Sequence, residues 1–580
     1  MKYSISLLLL GAVLPLTSCI DDNYDLDNIE TTARIEVDDL TLPLNLDAIT
    51  LESILDLKDD EAIEVVDGQY AIVKTGDINP VKIDIPAVNI IAPEISPKEK
   101  EVVAETSMSK GRSAVDASAM RFSLSSSPET CKYTASNVSE YIMDVSSCEC
   151  SVSIDLKLSL KGAEHIVNGC DFNDVVLQIP KGLDLSTGEG DSYNAETGEY
   201  YIDSRYAQDC KITLDIKANG VDFKNNSGFS YDYKNHAITF EDVIYVKSGY
   251  ATITSSDVSG SLSDIPTTLT FRTEYELSDI DIKSFSGHIQ YSLDEMNVPE
   301  INLSNIPDVL TQSGTDIILK NPSLYLNVNN PVQDYNLSAQ TGLQLTAIRT
   351  DKADKSFSLD NGQLIKIATD HANHSYNFCL SPEMPGVVDS EFSGATHVGF
   401  TQLSSLLSGD GIPTSINVDL IDPMIPNQQV EKFPVGKEVG EIKGKYKFVA
   451  PLNIAEGSII TYSDDVDGWN DEDVDKMTIT TLKVTMVANT DIPVALDFKA
   501  WPIDVDGNQI GNVSIEGAKI DANANNQTVT VTITGEITHL DGLHYTAVAK
   551  AANGETLSPD MSISLKDVRV VVSGYYEKEL

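Results

Sequence analysis

The densest run of hard oxygen donors lies between Asp464 and Asp475, where Asp464, Asp465, Asp467, Asn470, Asp471, Glu472, Asp473 and Asp475 crowd together. Calcium takes about six to eight such oxygens. Asp465, Asp467, Asp471 and Asp473 are therefore candidate calcium ligands, although the order Asp-x-Asp-x-Asp-Gly of an EF-hand loop is not met. A solvated acidic loop explains the same residues. The densest histidine group, Asp370-His371-Ala372-Asn373-His374, sits in a polar stretch where turn residues suffice as an explanation. Tyr193, Tyr200, Tyr201 and Tyr206 cluster around Gly188, Gly190 and Gly198, and an aromatic platform of this kind stacks on sugar rings. Tyrosine is also favoured on strand surfaces, the plainer reading. Cys131, Cys148, Cys150, Cys170 and Cys210 fall close together in sequence and are disulfide candidates in an oxidising compartment. Cys170 with Cys210, and Cys131 with Cys148 or Cys150, are the expected pairs. Cys148 and Cys150 on one strand share a face, a poor geometry for bonding each other. Only this one-residue spacing occurs, whereas zinc sites favour the two-residue spacer. No Gly-x-Ser-x-Gly elbow, His-Glu-x-x-His helix, phosphate loop or dinucleotide fingerprint is present, so no enzyme and no cofactor other than calcium is expected.

The N-terminus carries an address. Lys2, an apolar run from Ile5 to Leu14 interrupted by Ser6 and Gly11, and small residues before Cys19 form a signal-peptide pattern. Leu16-Thr17-Ser18-Cys19 resembles a bacterial lipobox. That resemblance implies acylation of the Cys19 thiol, with palmitate-type chains, and cleavage of residues 1–18. Residues 19–32 then form an acidic tether. Apolar Ile20 is followed by Asp21, Asp22 and Asp25, which resemble the acidic surface-export signal of Bacteroides-type lipoproteins. The wider pattern is similar to that of uncharacterised lipoproteins of this type: Asp22-Asn-Tyr24-Asp25-Leu26-Asp27, Leu42-Pro43-Leu44, Ile54-Leu55-Asp56-Leu57 and Gly68-Gln-Tyr70. It implies a lipid-anchored protein of the outer membrane, facing the cell exterior, and no particular activity.

Charge narrows the partners. With Lys+Arg 40 and Asp+Glu 89 the chain carries −49; removing residues 1–18 takes one lysine and no acid, so the mature charge is 39 − 89 = −50. Such a surface repels nucleic acid, and no basic patch interrupts it. No second apolar run approaches the roughly 20 residues of a membrane-spanning helix. The expected partners are a membrane through the N-terminal lipid and a glycan or protein ligand, with no nucleic acid; oligomeric state is left open.

Strand patterns dominate the rest. Val152-Ser-Ile154-Asp-Leu156-Lys-Leu158-Ser-Leu160, Ile212-Thr-Leu214-Asp-Ile216 and Val529-Thr-Val531-Thr-Ile533 alternate strictly, as half-buried strands do. Asp67-Gly68 between Ile63–Val66 and Tyr70–Val73 predicts a hairpin. Short helices are expected only at 50–57 and 403–407. Leu324–Val328 before Asn329-Asn330-Pro331, and Leu482–Met486 before Asn489, suggest a repeated unit. The predicted fold is all-β, with tandem antiparallel β-sandwich (Ig-like) domains and few short helices. Its expected divisions are an N-terminal β region at 33–97, a linker at 98–120 containing Lys110-Gly111-Arg112, a β domain at 121–266, one or more sandwiches at 267–455 and a last sandwich at 456–580. Trp501 is expected in the core of the last. The function expected is a surface-exposed, lipid-anchored binding or scaffolding protein. A fimbrial or adhesin subunit, a glycan-capture lipoprotein of a sugar-uptake system and, last, a hydrolase are the alternatives.

Overall fold

Alternating apolar residues need a covering layer, and nearly every described element is a strand that finds one. The computed structural model describes residues 32–42, 49–50, 63–105, 118–470 (apart from 225, 304–305, 312–313, 351, 371, 373 and 410), 474–551, 555–556 and 561–579. Cys19, Asp21, Asp22, Asp25, Lys110–Arg112, the expected helix at 51–57, Asp471 and Asp473 lie outside them. Among the described residues the sheets are antiparallel save for one parallel pair, Ser375–Ser381 with Thr396–Gly399, and the fold is all-β. Helices are limited to short turns such as Asp308–Thr311 and Leu403–Leu407, the latter at the position expected.

The chain forms two compact units. One comprises 55–458 with 553–559; the other combines 1–54, 459–552 and 560–580. The larger is organised around Ile142–Lys161, which pairs with Lys211–Asp222 on one side and with Thr268–Leu277 and Ile280–Ser292 on the other. Ile154, Leu156 and Leu158 are buried while Asp155 and Lys157 face outward, as their alternation demands. A second sheet is centred on Gly169–Gln178 and Ala237–Thr254, and a third runs through Ser323–Asn329, Lys437–Pro451 and Gln69–Ile85. The 63–66 strand joins this third sheet through its hairpin, where Val66 faces Gln69 and Asp67 and Gly68 turn with φ of 52° and 78°. Positive φ at both turn positions matches the twist of the strands they join.

Two expected boundaries fail. Lys98–Val103, placed in the linker, is a strand paired with Thr268–Leu277. Its Lys-Glu-Lys-Glu start hides it from a hydrophobic pattern, because Val102 alone is buried and the rest is held by backbone pairing and by ion pairs such as Arg272–Glu99 at 2.8 Å. Nor is 33–97 a region of its own. Thr32–Leu42 pairs with the C-terminal strand Ser562–Glu579, whereas Gln69–Ile85 pairs with Lys437–Pro451 and Val88–Ile90 with Ile280–Ser292.

In the smaller unit, one sheet runs in the order Thr32–Leu42, Ser562–Glu579, Thr478–Thr490, Gln527–Ile537, Val513–Glu516. The other runs Ile459–Val466, Gly542–Lys550, Ala495–Ile503, Ala518–Ile520. Val484, Met486, Val531, Ile533, Val570 and Val572 form the buried face of the first, and Leu496, Phe498, Ala500 and Tyr545 that of the second. The two Asn-terminated strands proposed as a repeat fall in different units. Buried Asn330 clamps its turn by donating to the carbonyls of Leu337 and Ala368, each at 2.8 Å. Asn489 instead accepts from the Asn526 amide at 2.8 Å. No helix among the described residues is long and apolar enough to cross a membrane.

Candidate functional site: a tyrosine-bearing sheet face

On Gly169–Gln178, Cys170 and Phe172 point into the core and Asp171 and Asn173 point out. Asp174, with φ of 50°, then adds a bulge that resets the alternation, so Val175 and Leu177 are buried and Val176 faces outward. Cross-strand pairing extends this outer face in both directions. Tyr206 stands opposite Asp171, which stands opposite Thr252, which stands opposite Arg121. Tyr250 stands opposite Asn173, and Tyr201 opposite Val176. Three tyrosines and four hydrogen-bonding side chains thus share one surface.

Its geometry is partly set. The Arg121 guanidinium lies 3.4 Å from the centre of the Tyr250 ring, a cation–π contact, and the Thr252 hydroxyl donates to Asn173 Oδ1 at 3.1 Å. Tyr206 is 55% exposed and lies across Gly169, where an added Cβ would come within 2.5 Å of the ring carbon Cζ. Glycine there lets the ring lie flat against the sheet. Tyr201 is 36% exposed.

The other two expected platform tyrosines have structural duties. Tyr193 donates to the carbonyl of Pro180 at 2.7 Å, and burial pushes its hydroxyl up to about 12. Tyr200 is 4% exposed and donates to Asp191 Oδ2 at 2.9 Å; burial and then this carboxylate also push it up to about 12. Asp191 additionally pairs with Arg205 and accepts from the Asp203 amide at 2.9 Å. Tyr200 and Tyr201 are adjacent on a strand, so they had to face opposite ways. That simple parity was available in the sequence; Tyr250 and Arg121 were not, because they reach the face from strands distant in the chain.

All six described cysteines are free thiols and buried. Cys170 neighbours Cys210, and this thiol together with burial raises the Cys170 thiol well above its ordinary value. Cys148 and Cys150 point inward two residues apart on one strand, and the Cys150 thiol together with burial raises the Cys148 thiol. Burial, followed by the nearby Asp242 and Glu129 carboxylates, raises the Cys131 thiol to about 12.

Two described carboxylates of the acidic run are committed to other contacts. Asp464 Oδ2 accepts from the hydroxyls of Tyr462 and Tyr545 at 3.2 and 3.3 Å, and Asp465 Oδ1 lies 2.5 Å from Nδ1 of His544. Asp467 is exposed. Among the described residues no three His, Cys, Asp or Glu side chains converge as metal ligands. His374 pairs with Asp334 at 3.4 Å. The tryptophans exchange roles: Trp469 is buried at 3% exposure, whereas Trp501, expected in the core, stands half-buried on the outer face of its sheet.

No family model and no curated protein matches this chain. Among solved structures, a predicted secreted protein from Parabacteroides distasonis ATCC 8503 is similar to it at 14% identity over 50% of this chain and 90% of the other, with a TM-score of 0.35. The structure of infectious bursal disease virus Gx strain aligns at 10% identity over 92% of this chain and 88% of the other, with a TM-score of 0.10. Neither score carries an argument about fold or function.

Proposed function

We propose that this chain is a lipid-anchored binding protein of the outer membrane, exposed at the cell surface, that captures a glycan without chemically altering it. The observation that supports this most directly is the outer face bearing Tyr201, Tyr206 and Tyr250 beside Arg121, Asp171, Asn173 and Thr252. Aromatic faces carry a negative quadrupole that attracts the C–H bonds of a sugar ring, while amide, carboxylate and guanidinium groups match its hydroxyls. Among these groups Asp171 is the single carboxylate, whereas glycoside hydrolysis by the usual routes uses a pair of them, so the face suits binding better than cleavage. Cys19 would carry the lipid, and Asp21, Asp22 and Asp25 the export signal. A glycan array probed with the full chain tests the reading. Binding that falls at least about tenfold in Tyr206→Ala and Tyr250→Ala supports it, as expected for aromatic anchors. Absence of binding to any glycan overturns it.

One observation favours a second reading, a fimbrial or adhesin subunit assembled by strand addition. Thr32–Leu42, with the short Ile49–Thr50 strand, completes the edge of a sheet built otherwise from residues beyond 477, and an edge of that kind accepts a strand from another chain. Ladders on native gels would favour it.

A further inference from the structure

The four-stranded sheet of the smaller unit has one face in the core and one in solvent. Strand register lines up its outer face in rows. Trp501 stands opposite His544, and His544 opposite Asp465; Lys499 stands opposite Thr546, and Thr546 opposite Ser463. Residues of successive rows are about 6.7 Å apart along a strand, and neighbours within a row about 4.8 Å apart. A single sugar ring resting on Trp501 therefore spans to groups in both rows.

The first row is braced. The Trp501 and His544 rings lie 6.0 Å apart, tilted at 43°, and the imidazole Nδ1 is held 2.5 Å from Asp465 Oδ1. With Nδ1 engaged by the carboxylate, Nε2 is the ring nitrogen left for a ligand. The second row is uncommitted: the side chains of Ser463, Lys499 and Thr546 make no hydrogen bond to any described residue. An ordered aromatic ring beside unspent donors and acceptors is what polyol recognition requires, since each sugar hydroxyl both donates and accepts.

Local charge selects the ligand further. Lys499, Lys519 and Lys550 nearly offset Asp465 and Asp497 on this face, Lys519 standing opposite Asp497 and Lys550 pairing with it at 3.1 Å. This balance, on a chain of −49, disfavours both a polyanion and a polycation.

We infer that the Trp501–His544–Asp465 row and the adjoining Lys499–Thr546–Ser463 row form a second, separate subsite for a neutral glycan, with Trp501 stacking on a sugar ring. The inference rests on the glycan reading proposed above and extends it to the smaller unit. Trp501 stacks, His544 and Asp465 orient one edge of the ring, and the second row takes the hydroxyls of the other edge.

A ligand-induced change in tryptophan emission reports on Trp501, because the other of the two tryptophans, Trp469, is buried out of a ligand's reach. The full chain is titrated with soluble neutral polysaccharides (xyloglucan, galactomannan and dextran) and with anionic pectate, and retention on native gels containing each is measured in parallel. The expected result is a saturable emission change with at least one neutral polysaccharide and none with pectate. Trp501→Phe should abolish the emission change, Trp501→Ala should weaken retention at least about tenfold, and Trp501→Tyr should retain most of it. Thermal unfolding of each variant confirms that the fold is kept, and Ser463→Ala with Lys499→Ala supplies a milder test away from the ring. Retention lost in Tyr206→Ala but unchanged in Trp501→Ala and in the Ser463/Lys499 variant overturns this subsite and leaves the tyrosine face standing. No retention on any polysaccharide overturns both.

Discussion

Arg34 holds its guanidinium 3.5 Å from the centre of the Tyr575 ring, so residues from the two ends of the chain are joined by a cation–π contact. Around it, Thr32 faces Glu579 and Leu42 faces Val570 along one antiparallel ladder. The ladder is interrupted between Val37 and Leu40, where Asp39 adopts φ of 56° and its amide donates to the Ser573 hydroxyl at 3.3 Å. Ile35 is 60% exposed and Leu42 alone is buried, so backbone pairing holds this strand more than packing does.

That arrangement makes the first prediction. Arg34→Ala should destabilise the smaller unit by about 0.5–1 kcal/mol, the range of an exposed cation–π contact. A double-mutant cycle with Tyr575→Ala measured by denaturant unfolding checks it, and an interaction energy of zero would show that the contact contributes nothing.

Oxidation should join Cys170 to Cys210. The thiols are buried and neighbour each other, and the bond would close a loop of 210 − 170 = 40 residues. On the chain-entropy account the gain is about 3–4 kcal/mol. Thiol labelling of denatured, unreduced protein isolated from the cell envelope decides the matter: full labelling of both residues would refute it.

Alkali should unfold the larger unit in a defined window. Tyr193 and Tyr200 are pushed up to about 12 from an ordinary value of 10.0. Below pH 10 both are neutral in either state and their buried hydrogen bonds are intact. Between pH 10 and 12 the unfolded chain releases these protons first, so stability falls as pH rises, by up to about 1.4 kcal/mol per unit for each tyrosine. Tyr193→Phe should flatten this slope in urea melts recorded across the window; an unchanged slope would count against it.

Arg349 should be a stability determinant of the segment after the 403–407 helix. Its guanidinium donates to the carbonyls of Ser408, Gly411 and Leu406 at 2.7, 2.9 and 3.4 Å, and Lys355 adds a 2.7 Å bond to Ser408. Cations at a helix C-terminus satisfy carbonyls that the helix leaves unpaired. Arg349→Ala should cost about 2–4 kcal/mol and Arg349→Lys less, because a single ammonium cannot serve the same fork of acceptors. Equal melting of both variants and the parent would dismiss the role.

Cys19→Ala should release the protein from the membrane fraction, since acyl chains anchor at about 0.8 kcal/mol per buried methylene. Replacing Asp21, Asp22 and Asp25 with alanine should leave acylation intact but shield the protein from protease added to whole cells. Equal shaving of parent and triple variant would remove the export role and spare the anchor.

The amino-acid sequence by itself determined the strand class, because strict alternation in Val152–Leu160 and Val529–Ile533 admits one period only, and Asp67-Gly68 admits the turn that was found. It determined the 403–407 helix for the same local reason. What covers each strand was decided only in three dimensions. Backbone pairing is nearly blind to side-chain identity, so Lys98–Val103 and Thr32–Leu42 gave no sign of their partners. Trp501 shows the same limit on one side chain. Leu496, Phe498 and Ala500 alternate with Asp497 and Lys499, which points Trp501 outward, but the apolar succession Ala500-Trp501-Pro502-Ile503 obscures that parity. The sandwich settled it by burying Phe498 and Ala500, which left Trp501 pointing outward beside His544. The tyrosine face followed likewise: Tyr201 and Tyr206 came from the visible cluster, while Tyr250 and Arg121 joined them through register, a relation between strands that no local pattern encodes.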